Sequence, residues 1–98
     1  MKLTLMKFGA KWCGPCAALA KAKTLEKFAA AHPEVKVERH DDTLHGTDAW
    51  NDLADEWGVK NVPTLIWVAD GKVLFRSSDV SPAGIEKQLA RAVRAGVG

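Results

Sequence analysis

With 98 residues, 47% hydrophobic and 27% charged, the chain can bury one core and carry one active site but cannot form two domains. A formal net charge of +2, with no run of five or six like charges, gives no electrostatic reason to expect nucleic acid or an anionic membrane as partner. No stretch approaches the roughly 20 apolar residues of a membrane-spanning helix, and two cysteines are too few for the disulfide framework of a secreted mini-protein.

Residues 2–9, with Leu3, Leu5, Met6 and Phe8, read as a largely buried strand, since strands covered on both faces lose strict alternation. Lysines flank this stretch as they would an export signal. Lys7 interrupts the apolar run, however, and no small-residue cleavage site precedes the motif that follows, so a soluble cytoplasmic protein is expected. From residue 13 the period becomes helical. Ala18, Leu19, Ala22, Leu25, Phe28 and Ala29 recur at steps of three and four until His32 and Pro33, predicting one helix of about five turns. Val35–His40 reads as a second short strand with Val35 and Val37 on one face, followed by the polar loop DDTLHG.

Thr47 is the predicted N-cap of a helix that carries Asp48 in its first turn, buries Trp50, Leu53, Ala54 and Trp57, and ends at Gly58. Pro63 leads into the apolar strand Thr64–Ala69. The pair Asp70 and Gly71 is a hairpin signal, so Lys72–Ser77 should return antiparallel. Ser81, with Pro82 at the first helical position, opens a last helix whose Ile85, Leu89, Ala92 and Val93 face inward until Gly96. The predicted fold is α/β, in the order β-α-β-α-β-β-α. The helical connection makes the first two strands parallel with a right-handed crossover, and a four-stranded mixed sheet with helices on both faces results.

Both cysteines lie in the stretch KWCGPCAALA, three residues apart at the start of the first helix. At that spacing Cys13 and Cys16 lie on one side of the first turn, where their sulfurs can meet with little backbone movement. The unpaired N–H groups and the positive dipole end favour the Cys13 thiolate and should lower its pKa below the free value of ~8.5. Cys16, a turn further in, gains less. That asymmetry makes Cys13 the attacking sulfur on a substrate disulfide and Cys16 the one that resolves the mixed disulfide. Pro15 lacks an N–H where none is needed and stiffens the turn. Gly14 leaves room for a substrate backbone, Trp12 offers an apolar lip, and Lys11 adds positive charge. The alternatives are a zinc half-site and two inert thiols. Zinc needs four ligands, and the spacing from Cys16 to His40 and His45 does not suit a finger; a Gly-Pro insert argues against inert thiols.

At WCGPC the chain resembles the thioredoxin family, and the resemblance runs through the Val-x-Val strand, the segment Val62, Pro63, Thr64, the Asp-Gly hairpin and the terminal amphipathic helix. It implies a minimal thioredoxin-like fold over residues 1–98, with Pro63 as a cis-proline packed on the cysteines and the Val62 backbone offered to a substrate strand. The likeness also has gaps. The chain begins at the strand leading to the motif, so the extra N-terminal strand and helix of typical thioredoxins are missing and the size is closer to that of glutaredoxins. Lys7 stands where the family carries a buried aspartate that assists the resolving cysteine. A buried ammonium needs a partner, and Glu38 on the neighbouring strand is the expected one. Gly9 replaces a tryptophan, Lys21 a helix-kinking proline and Ser78 a groove glycine, which implies a more open groove.

His40, Asp41, Asp42 and His45 could suggest a metal site, but a solvated loop and helix cap account for them. Of the four tryptophans, Trp50, Trp57 and Trp67 fall on apolar faces and read as core; Trp12 alone is placed for substrate. The resemblance implies a protein-disulfide reductase, with disulfide-containing client proteins and a thioredoxin reductase-like electron donor as partners, acting as a monomer. No nucleotide-binding glycine motif and no flavin or nicotinamide signature is present, so reducing power is expected from a partner, and no cofactor or metal is expected beyond the redox-active pair itself. A glutaredoxin-like, glutathione-dependent reductase and a binding subunit with an incidental dithiol are the competing readings.

Overall fold

The structure, a computed structural model, describes residues 2–41 and 46–97, and of Thr47 and Val97 the backbone alone. In chain order the elements are β1 (Leu3–Phe8), α1 (Gly14–Lys21), α2 (Thr24–Ala31), β2 (Val35–His40), α3 (Thr47–Glu56), β3 (Thr64–Ala69), β4 (Lys72–Ser77) and α4 (Pro82–Val97). The strands form one mixed sheet in the order β2-β1-β3-β4, with β1 parallel to β2 and antiparallel to β3, and β3 antiparallel to β4. This is the α/β architecture the sequence predicts, down to the hairpin. Asp70 and Gly71 both take positive φ, 50° and 85°, as the tight turn requires.

Every residue of β3 is buried, and β1 is buried except for a half-exposed Thr4, because these two strands form the middle of the sheet. On one face Leu5 and Trp67 pack with Leu19, Phe28, Ile85 and Ala92 of α1, α2 and α4. On the other face Phe8, Ile66 and Val68 pack with Ala54, Trp50 and Leu53 of α3. At the end of α2, His32 lies 2.8 Å from Glu86 of α4 and ties the two helices together.

Three expectations are corrected. The predicted five-turn helix is two helices, broken where Lys23 takes the left-handed conformation at φ 55°. On a straight helix, Leu19 and Leu25 would point about 120° apart, at 3.6 residues per turn. The break resets the phase so that both reach the core, while Ala18 and Ala22 are left exposed. Gly46, not Thr47, occupies the N-cap position of α3, and Thr47 is its first helical residue. Val93 is exposed, because the inner face of α4 is centred on Ile85, Gln88 and Ala92. Gln88 is turned inward by its amide, which meets the Trp67 indole across the core.

Candidate active site

The edge of the site is set by the end of β1. Gly9 N–H still bonds the His40 carbonyl at 3.0 Å, prolonging the parallel pairing, and Cys13 N–H then returns to the Ala10 carbonyl at 3.1 Å, closing a turn. That turn lifts Lys11 and Trp12 into solvent, where Trp12 is 72% exposed, and delivers Cys13 in an extended conformation as the N-cap of α1. Its Sγ accepts the Cys16 backbone N–H at 3.3 Å, in the manner of a capping oxygen, and its carbonyl accepts the Ala17 N–H, the first helical bond. Gly14 and Pro15 are exposed at the top of the helix, and a Cβ on Gly14 would meet nothing within 4 Å. Cys13 and Cys16 are joined as a disulfide with Cα atoms 5.2 Å apart. Both are buried, at 5% and 4% exposure, against Ala10 and Val62.

Val62 arrives from the far side of the sheet, and the Val62–Pro63 peptide bond is cis. Pro63 is buried, and Thr64 Oγ1 donates to the Asn61 carbonyl at 2.6 Å to close the loop. Ser78 lies past the end of β4, in a hollow of about 320 Å³ shared with Lys60, Asn61, Thr64 and Arg76. It is therefore beside the Val62 and Pro63 loop, while Cys16 lines a different hollow.

That second hollow, of about 180 Å³, is lined by Cys16, Lys7, Lys11, Asp41 and the small side chains of Ala10, Ala17 and Ala20. Lys7 is buried on the α1 face of β1, at 6% exposure. Burial pushes its ammonium below the usual lysine range. The Asp41 carboxylate opposes this, Arg39 adds to it, and Glu26 opposes it more weakly.

The expected Lys7–Glu38 pair does not form. In the parallel register Glu38 stands beside Met6 and Lys7 beside Arg39, so Lys7 and Glu38 point to opposite faces of the sheet. Glu38 approaches His40 at 3.7 Å instead. The carboxylates acting on Lys7 are Asp41 and Glu26, which sequence reasoning missed. No local signal in the sequence marks Asp41; it is the parallel pairing of Phe8 with His40 in the folded sheet that sets the residue after His40 beside the motif. Asp42 and His45 of the suggested metal cluster lie outside the described residues, and no group of three metal-ligating side chains occurs among those described.

A family profile described as Thioredoxin matches residues 1–95. Thioredoxin-2 of Saccharomyces cerevisiae is 34% identical over 89 residues, spanning 91% of this chain and 79% of the relative. The thioredoxin of Chlamydia muridarum is 41% identical over 75 residues, 76% of this chain and 67% of the relative. Among solved structures, Fasciola hepatica thioredoxin superposes with a TM-score of 0.77 at 28% identity, over 93% of this chain and 81% of that one. Oxidised mitochondrial thioredoxin 3 of Saccharomyces cerevisiae gives 0.76 at 28% identity, over 92% and 78%. These likenesses favour neither the glutaredoxin-like nor the binding-subunit reading. The chain belongs to the thioredoxin family, whose members reduce disulfides in client proteins and work through their own cysteine pair, and it is accordingly a thiol–disulfide oxidoreductase.

Proposed function

We propose that the protein reduces disulfides in other proteins, with Cys13 as the attacking sulfur and Cys16 as the resolving one. The observation that carries this division is the 3.3 Å hydrogen bond from the Cys16 N–H to Cys13 Sγ at the start of α1. A charge on Cys13 is met there by a backbone donor and the positive end of the helix, whereas Cys16 sits a turn deeper. The Cys13 thiolate forms a bond to one sulfur of the client disulfide, and the other leaves with its electron pair and takes a proton. Cys16 then loses its proton and attacks Cys13 Sγ, and the second client sulfur departs with the pair. Two electrons and two protons have passed to the client, and the motif is left oxidised.

Client binding falls to the residues around the sulfurs, Trp12, Gly14 and Pro15 on one side and Val62 and Pro63 on the other, with Ser78, past the end of β4, beside that loop. Lys11 contributes positive charge. Since the chain carries no nicotinamide or flavin motif, a thioredoxin reductase-like partner is the electron donor. A reductant of this kind is kept reduced in a low-potential compartment such as the cytoplasm, and the monomer suffices for the cycle. The test is insulin reduction coupled to thioredoxin reductase with NADPH, or to glutathione with glutathione reductase. Turnover is expected with the first; turnover with glutathione alone would overturn the choice of donor.

A further inference from the structure

We propose that Lys7 holds Cys16 as a thiolate once the disulfide is opened, so that the resolving sulfur is acidic as well as the attacking one. This rests on the reading of Cys16 as the resolving cysteine. The two groups converge on the place left empty by Gly9. A Cβ there would sit 3.1 Å from Cys16 Sγ and 3.2 Å from Lys7 Nζ, so sulfur and ammonium are no further apart than those two distances laid end to end. Both residues are all but closed to solvent, at 4% and 6% exposure, so their interaction is weakly screened.

The charged groups facing Lys7 come from every element around it: Asp41 after β2, Arg39 on β2, Glu26 on α2 and Lys11 in the turn after β1. Burial is the largest influence and disfavours the ammonium. An anion generated beside it would relieve that penalty. In the oxidised protein the Cys16 sulfur carries no charge; in the mixed disulfide and the reduced protein it can supply that anion. An opposite charge held this close favours the thiolate over the thiol and so lowers the thiol pKa.

In the resolving step the Cys16 thiol loses its proton to water in the adjoining hollow. The thiolate bonds to Cys13 Sγ, the bond from Cys13 to the client sulfur breaks, and that sulfur leaves with the electron pair and is protonated by solvent. Lys7 keeps its proton throughout. It is a positioning residue that acts by charge on Cys16.

Ellman's reagent reads both steps at 412 nm. The first thionitrobenzoate is released as Cys13 is capped, and the second as Cys16 resolves. In Lys7→Met the second release should slow about tenfold at pH 7 and its pH profile should move up by about one unit or more, the two proteins converging at high pH. A structural role would slow it equally at all pH values. Superimposable profiles for the second release overturn the proposal and leave the oxidoreductase reading standing, whereas absence of any second release defeats the resolving role itself. Should Lys7→Met fail to fold, a titration that needs no substitution takes its place. The Cys16 ¹³Cβ shift of the reduced protein should titrate below the free thiol value of ~8.5, and titration at or above it overturns the proposal.

Discussion

Trp67 and Gln88 are joined by a buried hydrogen bond, the indole N–H donating to Gln88 Oε1 at 2.9 Å while Gln88 Nε2 donates to the Asp79 carbonyl at 2.7 Å. Trp67 is wholly buried in the middle of the sheet, so its N–H has no water to turn to. Gln88→Leu should therefore cost about 1–3 kcal/mol, the usual penalty for a stranded buried donor. Urea denaturation should show a lower midpoint with an unchanged slope; an unaltered midpoint would mean that the bond contributes nothing.

Lys23 breaks the first helical connection in a left-handed conformation at φ 55°. For a residue with a Cβ this costs about 1–2 kcal/mol, of which the greater freedom of glycine in the unfolded chain takes back about 0.5–1 kcal/mol. Lys23→Gly should thus stabilise the protein by several tenths of a kcal/mol, raising the thermal midpoint by a few degrees. A fall in the midpoint would rule out strain at this position.

That break explains what the sequence conveys and what it conceals. The strands and the hairpin are legible because apolar runs and the pair Asp70 and Gly71 are local signals. The Cys13 and Cys16 pair is legible because its spacing has one common chemical use. Residues 20–24, Ala-Lys-Ala-Lys-Thr, contain no glycine or proline, so nothing local marks the helix as ending. Only the phase slip from Leu19 to Leu25 betrays it. Gln88 is hidden for a related reason: a polar residue on a helix reads as outward until its partner across the core is known. Membership of neighbouring strands suggests Glu38 as the partner of Lys7. The parallel register, a long-range property, turns them to opposite faces and brings in Asp41.

The start of α4 should be sensitive to acid. Asp79 Oδ1 accepts the Ser81 hydroxyl at 2.7 Å and the Ser81 N–H at 3.0 Å, and these bonds hold its carboxyl below the usual range. The folded protein thus favours the anion. Its stabilising effect is complete above the unfolded carboxylate value of ~3.9 and is lost as pH falls through the lower folded value. Melting temperature should drop across this window more steeply in the wild type than in Asp79→Asn; parallel curves would contradict the assignment. Gly84→Ala should flatten the wild-type curve in the same way, because a Cβ there collides with the Asp79 carboxylate.

Lys7 gives a second pH signature, at the alkaline end. Burial lowers its folded pKa from the ordinary 10.5, so the unfolded chain binds the proton more tightly and stability rises with pH below that value. The oxidised wild type should gain on Lys7→Met in denaturant titrations as pH rises from the lowered folded value towards 10.5. Equal profiles would show that the ammonium is solvated in the folded protein.

The two cysteines should fail differently. Cys13→Ser should abolish insulin reduction and form no adduct with a client. Cys16→Ser should arrest after the first exchange and accumulate a Cys13 mixed disulfide visible by non-reducing mass spectrometry. Accumulation through Cys16 in the Cys13→Ser protein would reverse the assigned roles.

The motif is the direct continuation of β1, which is hydrogen-bonded on both sides by β2 and β3. Amide hydrogens in such a central strand are expected to exchange only when most of the molecule opens, so the base on which the sulfurs stand should be among the most persistent of the described elements. Making and breaking the bond between them then calls for little more than motion of two side chains. A carrier built this way would present one outline before and after each transfer, so that an electron donor and a client could recognise the same contour in turn.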